Sequence, residues 1–108
     1  GGAFETFPRP KQALLCGDLN FPAAAPERMQ ILAPFTAGVP NFNDAWSVLH
    51  PGQVHAPTVG IHPVDFVDRP ECFDYVFITD GLVSHLKAHG IDATTEASDH
   101  QPIWVELA

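Results

Sequence analysis

Residues 73–79 read Phe-Asp-Tyr-Val-Phe-Ile-Thr, and they are the most strand-like segment of this 108-residue chain. Aromatic and β-branched residues favour strands because they pack well on a pleated surface. Asp74 interrupts the apolar run, and an ionised carboxylate at a buried strand position is costly unless it is paired or hydrogen-bonded. The segment therefore predicts a core strand whose acid has a partner: the ring of His100, a backbone group, or a serine or threonine.

Two shorter apolar runs, one before and one after this segment, are also predicted as strands. Residues 12–16 (QALLC) stop at Gly17-Asp18, which is typical of a buried strand that carries polar side chains at its end. Residues 103–107 (IWVEL) predict the last strand. Three strands thus carry or adjoin polar residues, and the ends of strands are where rigid scaffolds present chemistry.

Short helices are expected between the strands. Residues 27–35 place apolar side chains at helical spacing, with a proline near the end of the segment. A second helical turn is expected after Asn43 or Asp44 as its cap, and a third over 82–89, between Gly81 and Gly90. The pattern is α/β or α+β with strands dominating, and no linker divides the chain into two domains.

Composition limits the partners of the chain. Thirteen acidic residues against five basic ones give a net charge of −8, which disfavours nucleic acid because affinity for its backbone comes from clustered Lys and Arg. A phosphate ester substrate stays open, since a bound cation reverses the local sign of charge. No apolar run approaches the roughly 20 residues of a membrane span. Cys16 and Cys72 follow no metal or redox spacing and are predicted to be buried, reduced thiols, although a disulfide stays open.

The first polar cluster is Gly17-Asp18-Leu19-Asn20. If the extended conformation continues through Leu19, the Asp18 and Asn20 side chains face the same way. The carboxylate could then hold a water and take its proton, while the amide could donate to an anionic oxygen. The structural alternative is an Asx turn that closes the strand.

The second polar cluster is Ser98-Asp99-His100, just before the last strand. Neighbouring side chains of an extended chain point apart, so His100 needs a carboxylate other than Asp99 to orient its ring, and Asp74 is the candidate. Asp99 could hold a metal. The alternative is a polar turn that leads into the strand.

Taken together and in this order, GDLN at 17–20, FDYVF at 73–77 and SDHQP at 98–102 resemble the motifs of the endonuclease/exonuclease/phosphatase family, which includes deoxyribonuclease I. Residues 43–52 (NDAWSVLHPG) are similar to the family's intermediate segment, so the resemblance covers essentially the whole chain from residue 12 onward. It implies a metal-dependent phosphoesterase, in which an activated water hydrolyses a phosphodiester or a phosphomonoester.

The resemblance also implies a role for each matching residue. Asp18 would orient or deprotonate the attacking water, and Asn20 would contact the scissile phosphate. His100 would bind a phosphoryl oxygen or act as the general acid, and Asp74 would pair with its ring and fix the tautomer. Asp99 would support Mg²⁺ or Mn²⁺, with Tyr75 and Ser98 as neighbouring supporting residues.

The family's main metal-binding glutamate lies in an N-terminal half that residues 1–108 do not match. The resemblance therefore implies half of an αββα sandwich of two sheets, which is an α+β fold, with reduced or no activity by itself. An uncovered apolar sheet face should recruit a partner. The partner expected is the missing N-terminal half or a second copy of the chain. Two hypotheses follow: a phosphoesterase seen as part of its domain, and an inactive, self-associating interaction module.

The remaining segments have no motif of comparable specificity. Residues 51–71 contain four prolines and predict a long surface loop, which either lines a substrate groove or simply crosses the surface. The histidines at 50, 55 and 62, and the pair at 85 and 89 on the predicted helix, allow a zinc site. No acid or cysteine pattern accompanies them, so ordinary surface histidines are expected.

Overall fold

A computed structural model describes residues 12–34, 37–62 and 69–108. Within these ranges the chain forms short helices and strands that alternate along the sequence. In chain order they are β1 (Leu14–Asp18), α1 (Pro26–Leu32), β2 (Phe42–Asp44), α2 (Ala45–Leu49), β3 (Asp74–Thr79), α3 (Asp80–Val83), β4 (Leu86–Ile91) and β5 (Ile103–Leu107). None of the helices in the described ranges is long and apolar enough to cross a membrane.

The strands form two antiparallel sheets, which confirms the α+β class. One sheet has the order β1-β3-β2, and the other pairs β4 with β5. β3 is the centre of the core, since all six of its residues are buried. Val76 and Ile78 pack with Ala45 and Leu86 on one of its faces. The alternate residues Tyr75 and Phe77 face the opposite side, where residues of α1 and the loop after β1 cover them.

β1 differs from the predicted buried strand at 12–16. It spans 14–18, and every residue in it is exposed, including Leu14 at 42% and Leu15 at 38%. Within the described residues β1 pairs only with β3, so it is an edge strand whose outer side has no neighbour. The prediction of a buried thiol is accordingly wrong for Cys16 and right for Cys72, and both cysteines are free.

The prediction of a helix over 82–89 is wrong. α3 ends at Val83, and the chain continues as β4, in which Gly90 lies opposite Trp104 of β5. A Cβ atom at Gly90 would collide with the indole ring of Trp104. Glycine is therefore needed at this position to make room for an aromatic residue on the neighbouring strand, and not to end a helix. This requirement comes from a residue fourteen positions later and is invisible to local periodicity.

The other two helices begin and end close to their predicted limits. α1 ends at Leu32, two residues before Pro34, the residue predicted to end it. Asp44 rather than Asn43 caps α2, because its Oδ1 accepts a hydrogen bond from Trp46 N at 3.0 Å. The other oxygen of Asp44 pairs with Arg28 Nη2 at 2.9 Å and so ties α1 to α2.

The prediction of a surface loop over 51–71 is wrong for part of this segment, because some of its residues are buried. His55, Thr58 and Val59 are all buried. Val59 forms backbone bridges with both Glu71 and His100, so the segment lies between the residues just before β3 and the turn before β5. Residues 63–68 of the predicted loop lie outside the described residues.

Two histidines that were expected on the surface belong to a buried aromatic group. The rings of His55 and His89 lie 5.6 Å apart and pack against Trp46, at 5.0 and 5.7 Å. His89 lies on β4 and His85 before it, so they do not share a helical face. In the part of the chain that the structure describes, neither the histidines at 50, 55 and 62 nor the pair at 85 and 89 belongs to a group of three possible metal ligands. Burial lowers the pKa of both His55 and His89 below the ordinary 6.5.

Replacing His89 by phenylalanine is expected to reduce the acid sensitivity of the fold. The pKa of His89 is lower in the folded chain than in the unfolded chain. Below pH 6.5 the unfolded chain therefore binds more protons at this residue, and the free energy of unfolding falls as the pH drops. The slope for one such histidine is at most about 1.4 kcal/mol per pH unit. Urea unfolding at pH 7 and pH 5 should show a smaller loss for His89→Phe than for the wild type. His85→Phe, at an exposed position, is the control, and equal losses in all three proteins would contradict the assignment.

Candidate active site

The site begins with the register between β1 and β3. Asp18 lies directly opposite Asp74 in this antiparallel pair. Residues that face each other across an antiparallel pair project their side chains to the same side of the sheet. Two carboxylates are thereby placed side by side, and like charges in this position destabilise the pairing unless a positive group or protons intervene.

His100 is the group between the two carboxylates. Its Nδ1 lies 2.8 Å from Asp74 Oδ2, and its Nε2 lies 3.4 Å from Asp18 Oδ2. The turn that carries His100 is held in place by its backbone, since Gln101 N donates to Thr58 O at 2.7 Å. The ring is therefore anchored on its Nδ1 side and presents Nε2 toward Asp18.

The electrostatics of the group favour an imidazolium. Burial alone lowers the pKa of His100, but the hydrogen bond with Asp74 and the charges of Asp74, Asp18 and Asp99 raise it above 6.5 overall. The Asp18 side chain is 38% exposed and that of His100 is 29% exposed, whereas that of Asp74 is 11% exposed. Asp18 and His100 therefore contact each other at the surface, and Asp74 contacts the His100 ring from the more buried side.

Thr58 supports Asp74 and was not singled out from the sequence. Its hydroxyl donates to Asp74 Oδ2 at 2.6 Å and accepts from the backbone N–H groups of Phe73 and Asp74 at 3.1 and 3.2 Å. A serine or threonine was one of the partners expected for Asp74. Thr58 itself lies sixteen residues earlier, in a proline-rich stretch without periodicity, so no local signal pointed to it.

Asp18 and Asn20 form the Asx turn that was the structural alternative for this motif. Asn20 N donates to Asp18 Oδ1 at 2.9 Å, and Asn20 has a left-handed backbone with φ of 57°. β1 ends at Asp18 and the left-handed backbone of Asn20 interrupts the extended conformation, so strand alternation does not align the two side chains. The turn occupies one oxygen of Asp18 and leaves Oδ2 on the side of His100.

Ser98 and Asp99 form an exposed polar turn before β5. Ser98 Oγ donates to Asp99 Oδ1 at 3.3 Å and accepts from His100 N at 3.2 Å. Ser98 therefore shapes the turn that carries the histidine. Asp99 contributes negative charge near the ring of His100.

Tyr75 faces away from the other predicted site residues. It follows Asp74 on β3, so its side chain projects to the opposite face of the sheet. Its hydroxyl lies 2.7 Å from Phe21 O and 2.9 Å from Cys72 O, and its ring stacks on Phe77. The structure thus places Tyr75 in the core, where it fastens the loop after β1.

Asp18, Asp74 and His100 are the one group in the described residues that offers three possible metal ligands, with ligand atoms within 4.8 Å of one another. The donor set does not fit a hard cation. Asp74 Oδ2 already accepts from Thr58 and from His100, and a protonated His100 would repel a metal. Mg²⁺ prefers oxygen ligands in octahedral geometry. Asp18 Oδ1 already accepts from Asn20 N, and Asp18 Oδ2 lies 3.4 Å from His100 Nε2.

Comparisons with known proteins add no relative. No protein-family model matches the chain, and no similar protein is found among curated proteins or solved structures. The geometry of Asp18, Asp74 and His100 and the resemblance of the motifs that carry them are therefore the observations that bear on function.

Proposed function

We propose that this chain is the C-terminal part of a phosphoesterase domain with a deoxyribonuclease I-like αββα fold. The observation that supports this best is the convergence of Asp18 Oδ2 and His100 Nε2, 3.4 Å apart at the surface, while Nδ1 is tied to Asp74. A hydrogen-bond acceptor and a cationic donor beside each other suit a reaction in which water attacks an anionic ester.

The chemistry follows from the two exposed groups. The water oxygen attacks phosphorus while Asp18 accepts one of the water's protons. The bond between phosphorus and the leaving-group oxygen breaks. His100 Nε2 either donates its proton to that oxygen or binds a phosphoryl oxygen, in which case water protonates the leaving group. Asp74 holds the imidazolium in one orientation and balances its charge. General acid–base catalysis of this kind contributes about 10²- to 10⁴-fold to a rate.

Other parts of the proposal rest on the resemblance. Asn20 is assigned to the scissile phosphate, and its exposed position beside Asp18 leaves it open to a ligand. A Mg²⁺ or Mn²⁺ ion would need Asp99 together with a glutamate from an N-terminal half, because Asp18, Asp74 and His100 do not form a cation site by themselves. Phosphodiester and phosphomonoester substrates both remain within the proposal.

Both faces of β3 are packed, so a companion would meet the chain at the edge strand β1 and not at the uncovered sheet face that was expected. Leu14 and Leu15 are exposed on a strand that carries no charge before Asp18, and among the described residues the outer edge of this strand has no pairing partner. Natural proteins usually protect such an edge with charges, a bulge or a cover. In an αββα sandwich the N-terminal half supplies the second sheet, and we assign it as the partner.

The same exposure favours a second candidate function. A chain whose described residues leave a strand edge uncovered and form no complete cation site could act as a self-associating interaction module that keeps the motifs without the reaction. This alternative predicts no hydrolysis, no metal-dependent change in Tm, and a defined oligomer by light scattering.

The experiment compares the 108-residue chain with a longer chain that includes an N-terminal half. Both are assayed on bis-p-nitrophenyl phosphate and p-nitrophenyl phosphate with Mg²⁺ or Mn²⁺, and with EDTA as the control. The proposal expects EDTA-sensitive hydrolysis by the longer chain and little or none by the 108-residue chain. Inactivity of both, together with a defined oligomer of the shorter chain, would replace the proposal by the interaction module.

A further inference from the structure

The hydroxyl of Thr58 has all its hydrogen-bonding positions filled. Thr58 is fully buried, and Oγ1 accepts from Phe73 N at 3.1 Å and Asp74 N at 3.2 Å. A hydroxyl has one proton to donate and two lone pairs to accept with. Because both contacting N–H groups are donors, the hydroxyl proton can be directed only at Asp74 Oδ2, which lies 2.6 Å away.

The Asp74 oxygen that Thr58 contacts is the one nearer to His100 Nδ1, since the other oxygen, Oδ1, lies 3.1 Å from that nitrogen. Asp74 Oδ2 lies 2.8 Å from His100 Nδ1 as well as 2.6 Å from Thr58 Oγ1. A proton on Oδ2 would collide with the one that Thr58 donates, so this oxygen must act as an acceptor toward the ring. His100 Nδ1 consequently carries a hydrogen, and Nε2 is the nitrogen that faces Asp18.

The backbone of the same residue holds the segment that carries the ring. Thr58 O accepts from Gln101 N at 2.7 Å, and the adjacent Val59 forms a bridge with His100. Thr58 therefore fixes the acid through its side chain and the histidine through its main chain. A change in the position of Thr58 would move both partners relative to Asp18.

We infer that Thr58 is the positioning residue of the site, which sets the tautomer and the orientation of His100 through Asp74. Its contribution to a reaction rests on the proposed phosphoesterase function, but its effect on the ring does not. Thr58 need not touch a substrate to act in this way. His55 and Val59, the other buried residues of the 55–59 segment, form no side-chain hydrogen bond with Asp74 or His100 in the part of the chain that the structure describes.

The test measures the tautomer of neutral His100 by long-range ¹H–¹⁵N NMR correlations in the wild-type chain and in variants. The wild type is expected to show the Nδ1–H tautomer alone. Thr58→Val keeps the branched shape but removes the hydroxyl, and it should give a mixture of tautomers. Thr58→Ser keeps the hydroxyl and should restore the single tautomer. Val59→Ala is the matched control, because it removes buried volume next to Thr58 without removing any of these hydrogen bonds.

Thr58→Val also leaves two buried N–H donors unpaired and can fail to fold, so the wild-type spectrum and Thr58→Ser keep the inference testable. A wild-type His100 with Nε2–H, a folded Thr58→Val with an unchanged tautomer, or a Val59→Ala variant that shifts the tautomer equally would each overturn it. In a chain that hydrolyses bis-p-nitrophenyl phosphate, Thr58→Val should lower kcat by about 10- to 100-fold with little change in KM. Failure of hydrolysis alone would refute the proposed function and leave the role of Thr58 intact.

Discussion

His100→Ala is expected to lower kcat/KM for bis-p-nitrophenyl phosphate by about 10²- to 10⁴-fold, in the longer chain that carries an N-terminal half. The substitution removes the cationic donor that faces Asp18 and leaves both carboxylates without their shared partner. The exposed site then presents two negative charges to an anionic substrate. Binding should weaken along with the proton transfer, so KM should rise while kcat falls.

Asp18→Asn is expected to cause a loss of similar size for a different reason. The amide keeps the shape of the side chain and can still accept from Asn20 N, so the turn after β1 should survive. It cannot take a proton from water at neutral pH. The loss should therefore appear mainly in kcat.

Two control variants remove the same residue types from positions away from the site. His85→Ala removes an exposed histidine between α3 and β4, and Glu106→Gln removes an exposed carboxylate on β5. Both should retain the activity of the wild type. Full activity in His100→Ala and Asp18→Asn would exclude these residues from catalysis.

Asp44→Ala is expected to lower the free energy of unfolding by about 3–5 kcal/mol, the cost typical of breaking one side of a buried ion pair. Asp44 is only 3% exposed, and its Oδ2 accepts from Arg28 Nε at 3.2 Å and Nη2 at 2.9 Å. Its Oδ1 caps α2 at Trp46 N, an interaction typically worth about 1 kcal/mol. The substitution therefore leaves a guanidinium that is largely buried without its carboxylate and a helix without its cap.

Urea unfolding of the 108-residue chain measures this loss. Arg69→Ala is the control because it removes an ion pair with Glu71 in which the arginine side chain is 81% exposed. Exposed pairs contribute about 0–1 kcal/mol, so Arg69→Ala should change stability little. Asp44→Asn can still accept at Trp46 and should lie between the wild type and Asp44→Ala. A loss of less than 1 kcal/mol in Asp44→Ala, measured against the Arg69→Ala control, would show that the pair does not hold α1 to α2.

The elements with strong local signals were predicted well from the sequence. β3 starts one residue later than predicted, and β5 has the predicted limits. The sequence predicts Asn43 or Asp44 as the N-cap of α2, because Asn and Asp side chains accept hydrogen bonds from the free N–H groups at the start of a helix. The segments predicted wrongly depend on distant contacts. The local pattern predicts a helix where β4 lies, because the pairing of β4 with Trp104 is not visible locally. It predicts a surface loop around Thr58, because the partners of Thr58 lie in β3 and in the turn before β5.

The sequence by itself determined which side chains could carry chemistry and that Asp74 needs a partner. Only the tertiary structure decided which of them meet. The register of β1 on β3 places Asp18 opposite Asp74, and a slip of one residue would send one of the two side chains to the other face. The same alternation sends Tyr75 into the core. His100 and Thr58 join Asp74 from 26 and 16 residues away, through contacts that exist only once the chain has folded back on β3.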